Sequence, residues 1–302
     1  MHVALVTCSA MPGLAPDDRP LLDGLRRRGI VADPIVWEDP VADWAMPSLC
    51  VIRSCWDYAW RLPAFQQWLD RAGSRTRIEN SPAVVRWNAH KQYLVDLAQR
   101  DVPSVPTVLL RAGARADLRR VLAERGWTQA VVKAAVGNSG RYARPVAPDN
   151  LASAERYVGQ ILEREDVLVQ PLIRSVAVNG ELSLVFIDGR FTHAVRKRAA
   201  AGDFRVHDDY GGSVELEDPG PAALDLAERA MAAAGAPTLY GRVDLVEGPD
   251  GEPLVMELEL IEPELFLRYS AQAVERLVEG VIGRLEARGS GEAEEAEEAG
   301  DL

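Results

Sequence analysis

The chain opens on an apolar run, HVALVTC at residues 2 to 8, which breaks at Ser9, Pro12 and Gly13. From Asp17 to Arg28 the apolar positions recur at helical spacing, and Gly29 ends the segment. Two more strand-like runs follow at 30–37 and 49–55. This order predicts a parallel α/β domain, in which ligands sit beyond the carboxyl ends of the strands. The loop Arg53-Ser54-Cys55-Trp56-Asp57-Tyr58 lies on that side.

Ser81-Pro82 is a helix start, with Ser as N-cap and Pro at the first helical position. The pattern continues to about Arg100 and carries Asn88 and Lys91. After Pro103 and Pro106 the expected elements are strand 106–111, helix 115–125, strand 130–136, a glycine-containing loop, helix 149–164 and strand 167–173. Strands 181–187 and 190–198 follow, joined by the hairpin signal Asp188-Gly189. A polar loop (200–213), an Ala-rich helix (221–234), a second hairpin and a last helix (270–288) complete the chain. The domains read as α/β over 1–105, α+β over 106–174 and 175–288, and a disordered acidic tail over 289–302.

The second hairpin carries the first chemical signal. Its strands read YGRVDLVE and EPLVMELEL around the turn Gly248-Pro249-Asp250-Gly251. Side chains alternate faces along a strand. Arg242, Asp244 and Val246 therefore share a face, which a symmetric turn aligns with Val255, Glu257 and Glu259. Val243, Leu245, Met256, Leu258 and Leu260 fall on the other. Carboxylates gathered this way raise one another's pKa unless a cation neutralises them, and hard oxygen ligands suit Mg²⁺. The same pattern also describes a plain amphipathic hairpin whose acidic face meets water.

A second signal is VVKAAVGNSGRY at 131–142. Lys133 sits within an apolar run and needs an anionic partner. Gly137-Asn138-Ser139-Gly140 can bring backbone N–H groups against phosphate. The stretch is neither a Walker A nor a GxGxxG sequence, and by itself it also suits an ordinary hairpin.

Composition narrows the class. A chain of 302 residues, 47% hydrophobic, is long enough for two or three domains. No apolar run approaches the roughly 18 residues of a membrane span, and MHVALVTC lacks a basic leader region. Cys8, Cys50 and Cys55 are odd in number and lack metal spacing, which suits reduced thiols in a cytoplasmic protein. A net charge of −12 argues against a nucleic-acid partner and leaves a small molecule as the expected one, with homo-oligomerisation open. His2, His90, His193 and His207 are scattered; His207 alone, in the polar loop, is a remote catalytic candidate.

The succession Asn88-x-x-Lys91, Lys133 with its glycine loop, Val169-Gln-Pro-Leu-Ile173, Glu181, Arg196-Lys197, Arg242-x-Asp244 and Glu257-x-Glu259 resembles the ATP-grasp superfamily. The likeness spans nearly the whole chain, and its specificity lies in the ordered set. It implies an ATP-grasp fold, with two α+β subdomains clasping ATP behind an N-terminal α/β domain. It further implies that Lys91, Lys133 and the loop Gly137, Asn138, Ser139, Gly140 contact phosphates. Gln170, Pro171, Leu172 and Ile173 would bind the adenine edge and Glu181 the ribose. Asp244, Glu257 and Glu259 would hold Mg²⁺, with Arg242 and Lys197 as catalytic cations. Most family members carry Glu-x-Asn where this chain has Glu257-x-Glu259, which puts the ion count in question.

The implied reaction is attack of a substrate carboxylate on ATP, giving an acyl phosphate that a nitrogen nucleophile resolves. Arg53, Ser54, Asp57 and Tyr58 are the candidates for an amino-acid-like substrate, though Trp56 and Tyr58 also suit simple interface packing. Glu262 and Glu264 are weaker candidates, and Arg196, Arg198 and loop 200–213 could close over the site. VALVTC-SAMP, RSCWDY and MELELIEPELF narrow the resemblance to the short ATP-grasp proteins of the D-cycloserine synthetase group, implying cyclisation of O-ureido-D-serine. The alternatives are a ligase joining two amino acids and a nucleotide-binding scaffold without turnover.

Overall fold

The computed structural model describes residues 1–137, 140–199 and 211–300, with side chains as far as residue 287. Asn138, Ser139 and residues 200–210, including His207, lie outside the described residues.

The N-terminal layer is built from β1 (His2–Thr7), α1 (Arg19–Arg27), β2 (Val31–Val36), β3 (Leu49–Ser54), α2 (Leu62–Gly73) and β4 (Arg77–Glu79). Its strands pair in the order β2-β1-β3-β4, all parallel. Both faces are covered, which explains the continuous apolar runs. Ala4, Val6, Cys50 and Ile52 pack on Phe65, Trp68 and Leu69 of α2. Val3, Leu5, Leu49 and Val51 face α1 and the C-terminal part of the chain. Cys8, Cys50 and Cys55 are free and buried.

The helix expected over 81–100 is two helices, α3 (Pro82–Asn88) and α4 (Tyr93–Gln99). Ser81 caps α3 as expected, its side chain accepting from Val84 N. The break has a tertiary cause: Lys91 N–H donates to Ala135 O (2.7 Å), a carbonyl on another element. His90 Nδ1 accepts from Gln92 N at 3.0 Å across the same break.

The central layer comprises β5 (Val108–Leu110), α5 (Leu118–Arg125), β6 (Ala130–Ala134), β7 (Arg144–Val146), α6 (Leu151–Leu162) and β8 (Val167–Pro171), paired antiparallel as β5-β8-β6-β7. Ala130 and Val132 pack under α5 and α6. Alternation therefore turns Val131 and Lys133 to the opposite face.

After α7 (Ser175–Asn179), the third sheet contains β9 (Glu181–Ile187), β10 (Arg190–Arg198), β11 (Ser213–Leu216), β12 (Tyr240–Glu247) and β13 (Pro253–Glu259), ordered β11-β10-β9-β12-β13. One face packs on α8 (Gly220–Ala232) through Leu184, Phe186, Val243 and Leu258. The other meets the N-terminal layer through Val185, Ile187 and Tyr240. α9 runs Ala271–Gly300, past the expected end at 288, and the expected tail continues its backbone. The Ala- and Glu-rich composition of that stretch favours helix.

The hairpin β12–β13 corrects one expectation. Arg242 pairs with Glu259 and Asp244 with Glu257, but the register then shifts so that Leu245 faces Val255. Met256 is the extra residue of a β-bulge. The bulge sends Val255 to the core with Leu245 and turns Met256 toward the charged side, opposite to simple alternation. Two asparagines anchor the hairpin's open end. Asn80 donates to Tyr240 O (2.9 Å) and Leu260 O (2.7 Å) and accepts from Leu239 N. Asn88 donates to Leu258 O and accepts from Leu260 N, both at 2.8 Å.

Replacing Asn88 by Ala would leave those two buried backbone groups unpaired. The expected loss is about 2–4 kcal/mol in urea unfolding; a variant as stable as the parent would show that Asn88 does not anchor β13.

Candidate active site

Between the central sheet and β9–β13 lies a cavity of about 270 Å³. Lys133 and Val131 form one wall, Lys197, Asp244 and Glu257 the other, and the segment 170–173 its back. The structure thus brings together half of the residues picked from sequence, Gly140 and Glu181 among them, and adds Met256, which the sequence reading had placed in the core.

Asp244 is the hub. It accepts from Arg242 through Nε (2.9 Å) and Nη2 (3.0 Å), from Lys197 Nζ (3.0 Å) and from Ser183 Oγ (2.6 Å). Burial pushes its carboxyl up, but Arg242 and Lys197 outweigh this and hold it well below the ordinary range. Lys197 also meets Glu181 at 3.1 Å. Burial would lower its pKa, yet Asp244 and Glu181 raise it above the ordinary lysine value. Ser183 escaped the sequence reading. Part of its signal was available, since it lies two residues after Glu181 on one strand face; its pairing with Asp244 needed the structure.

Glu257 joins two lysines from different elements. Lys91 Nζ, from the α3–α4 link, is 3.0 Å away, and Lys133 Nζ from β6 is 3.6 Å away. Burial opposes ionisation of Glu257, but Lys91 and then Lys133 pull its pKa down. The lysines differ: Glu257 overcomes burial to raise Lys91, whereas burial and repulsion from Lys91 leave Lys133 lowered. Lys133 Nζ also rests 3.4 Å from Met256 Sδ, a poor hydrogen-bond acceptor.

Glu259 is the exception. Arg242 Nη2 donates to it at 2.6 Å, but that guanidinium is already committed to Asp244. Burial, together with the charges of Asp244 and Glu257, outweighs Arg242 and pushes the Glu259 carboxyl up to about 7. The cavity therefore carries more acid than its own cations stabilise.

The expected metal set was Asp244, Glu257 and Glu259. Among the described residues no three His, Cys, Asp or Glu side chains converge closely enough to hold an ion unaided. Asp244 is taken up by protein donors, which disfavours it as an equal third ligand. Glu257 and Glu259, with excess charge at Glu259, fit a divalent cation whose shell is completed by phosphate and water. Toward the back of the cavity, Gln170 is 1% exposed. Its amide donates to Thr107 Oγ1 (2.9 Å), while its Oε1 has no hydrogen-bond partner. An orphaned buried acceptor beside an apolar cleft fits a planar ligand bearing an amino group. Leu172 N–H is used by Gln129 O (3.1 Å), which ties the 170–173 segment to β6.

The substrate candidates from the N-terminal layer separate. Arg53 is 1% exposed; its carboxylate partner is the chain's own Asp18, with Nη2 donating to Pro263 O at 2.7 Å. Ser54 donates to Asp18 and accepts from Ala15 N. Asp57 accepts from Trp37 Nε1 (2.9 Å) and Arg61. All three are engaged within the domain, and for Arg53 and Ser54 this was invisible without the fold because Asp18 is distant in sequence. Tyr58 instead lines a small pocket of about 20 Å³ beside Lys91, Gly137, Glu257, Glu259 and Glu262. Trp56 Nε1 donates to Glu262 O (3.2 Å), and Glu264 O accepts from Arg242 Nη1 (2.9 Å). Arg196 and Arg198 lie on the other strand face, paired with Glu217 and Glu215 of the β11 side.

A parallel α/β layer followed by two antiparallel sheets that enclose a lysine- and carboxylate-lined cleft is the ATP-grasp fold. Residues 3–80 match the family described as "D-cycloserine synthetase DcsG, N-terminal domain". Over 298 residues the chain is 36% identical to "Cycloserine biosynthesis protein DcsG" of Streptomyces lavendulae, covering 94% of this chain and 98% of that one. The crystal structure of D-cycloserine synthetase DcsG superposes with a TM-score of 0.87 at 34% identity, over 94% of this chain and all of that one. The chain belongs to the D-cycloserine synthetase family of the ATP-grasp superfamily. The ATP-grasp ligase PsnB, solved with a precursor variant, Mg and ADP, shares the fold at 20% identity, TM-score 0.65, over 94% and 98% of the chains. No helix among the described residues is long and apolar enough to cross a membrane.

The raised Glu259 makes a pH forecast. Its folded value near 7 exceeds the ordinary 4.5, so between those values the folded state binds more protons than the unfolded one. By linkage, this group makes stability fall as pH rises through that window. In metal-free protein, Glu259→Gln is therefore expected to raise the melting temperature at pH 8 and to have little effect at pH 4.5. Equal shifts at both pH values would count against the charge excess.

Proposed function

We propose that this chain is an ATP- and Mg²⁺-dependent, ADP-forming ligase that cyclises O-ureido-D-serine to D-cycloserine. The carrying observation is the convergence of Lys91, Lys133, Lys197 and Arg242 on Glu257, Asp244 and Glu259 at one end of an apolar cleft. Family membership supports the substrate, and nucleotide with magnesium in a neighbour of the same fold supports the cofactors. In the reading that follows, the adenine lies along 170–173 with Gln170 and the ribose near Glu181. Lys91, Lys133 and the 137–140 turn meet the phosphates.

Magnesium held by Glu257 and Glu259 would neutralise the phosphate charge. The substrate carboxylate attacks the γ-phosphorus, the bond to ADP breaks, and an acyl phosphate forms. A carboxylate needs no general base for this step, which suits a cavity with no histidine among its described lining residues. The ureido nitrogen then attacks the acyl carbon, phosphate leaves, and hydrolysis of the carbamoyl group releases CO₂ and ammonia. In this reading Arg242 stabilises charge on the transferring phosphoryl group and the tetrahedral intermediate. Tyr58 and Glu262 border the substrate end.

ADP release decides between readings. O-ureido-D-serine alone should yield ADP, phosphate and the ring; ADP formed only with pairs of amino acids would point to a two-substrate ligase, and none with either to a scaffold. Arg242→Ala is expected to lower kcat by about 10²-fold or more, the size of a lost oxyanion contact, while nucleotide titration shows binding largely retained. Undiminished turnover would remove Arg242 from the chemistry.

A further inference from the structure

Trp60 ends the short 3-10 turn Tyr58–Trp60 and is 62% exposed. Its ring nevertheless has specific company on the central sheet. Arg141 Cζ lies 4.4 Å from the Trp60 ring centroid and 4.3 Å from that of Tyr142. The two rings meet edge to face, with centroids 6.1 Å apart. An arginine held in the corner between two aromatic faces is a favourable cation–π arrangement.

Arg141 closes the glycine turn that follows β6. Its carbonyl accepts from Ala134 N (3.1 Å). Its guanidinium donates to both oxygens of Glu165 (2.6 and 2.7 Å) and to Val136 O (2.8 Å). A Cβ on Gly137 would come within 3.0 Å of Arg141 Cβ, so the start of the turn also packs on this residue. Tyr142 has φ 60°, a left-handed backbone unfavourable for a bulky side chain. It is held there by Arg141 Nη2, which donates to its hydroxyl (3.0 Å), and by Tyr157, whose hydroxyl donates to its carbonyl (3.4 Å). The exit of the turn is thus strained and braced on one side by the central sheet and on the other by Trp60.

Two residues before Trp60, Tyr58 lines the small pocket beside Glu257 and Glu259. One rigid turn of the N-terminal layer therefore touches the substrate end of the site and the flank of the glycine turn at once. We propose that Trp60 is a positioning residue: acting through Arg141 and Tyr142, it fixes Gly137 and Gly140 over the nucleotide phosphates and couples that hold to substrate occupancy at Tyr58, so that phosphoryl transfer goes to the carboxylate and not to water. The inference rests on the ligase reading above.

The test compares wild type, Trp60→Ala and Trp60→Phe. Trp60→Ala should raise the KM for ATP about 10-fold, as expected for a lost aromatic clamp. It should keep kcat within about 3-fold of wild type, a split that marks lost ground-state hold. ADP released per ring formed should rise above one. Trp60→Phe should restore both values, and melting temperatures should match. Unchanged KM with one ADP per product in Trp60→Ala would overturn the assignment, as would a Trp60→Phe variant impaired as severely as Trp60→Ala. If wild type forms no ADP at all, the ligase reading fails on its own. Calorimetric binding of a non-hydrolysable ATP analogue then decides the clamp: weaker binding by Trp60→Ala supports it, and equal binding refutes it.

Discussion

The grip of Arg242 on two carboxylates of neighbouring strands is the constraint around which the cleft is arranged. Its guanidinium occupies both oxygens of Asp244 and one of Glu259. With Lys197 and Ser183 completing the Asp244 shell, one acid is neutralised several times over while another nearby is left short of cations. Buried ion pairs are costly to desolvate, and well-packed apolar residues often stabilise a fold as well. A charged cluster of this density is better explained by what it must receive than by stability. The lysines on Glu257 come from the α3–α4 link and from β6, so the charges also join layers that meet through the apolar cluster of Tyr93, Ala135, Leu168 and Leu258.

The surrounding structure serves to hold this cluster still. Asn80, Asn88 and Tyr240 tie the strand ends to the N-terminal layer, with the Tyr240 hydroxyl 2.6 Å from Ile52 O. Arg53 and Asp18 brace the segment after β13 through Pro263 O, one residue before the carbonyl that Arg242 contacts. A guanidinium expected to greet substrate thus holds the same backbone segment as Arg242.

Much of this was legible in the sequence because period and order survive translation into structure. Strands β9 and β10 fall where the pattern put them, and the charged faces of β6 and β12 follow from alternation. What was hidden depended on distant partners. The helix over 81–100 breaks because Ala135 captures the Lys91 amide. Arg53, Ser54 and Asp57 are absorbed by Asp18, Trp37 and Arg61. The exchange of Val255 and Met256 needed a bulge that no residue type announces. The different set of cations around each of Asp244, Glu257 and Glu259 was also out of reach of the sequence.

That bulge marks where the hairpin's register changes, between its charged half and its tip. On the open side of Met256 the pairing of Arg242 with Glu259 and Asp244 with Glu257 is pinned by asparagines and charges. On the closed side, the strand tips and the Gly248–Glu252 turn carry no cavity residue. The turn itself lies three pairs beyond the shift, away from the carboxylates. Insertions or deletions accumulating there over evolutionary time would be absorbed before they reached the chemistry, leaving the turn as a tolerant position for grafted sequence.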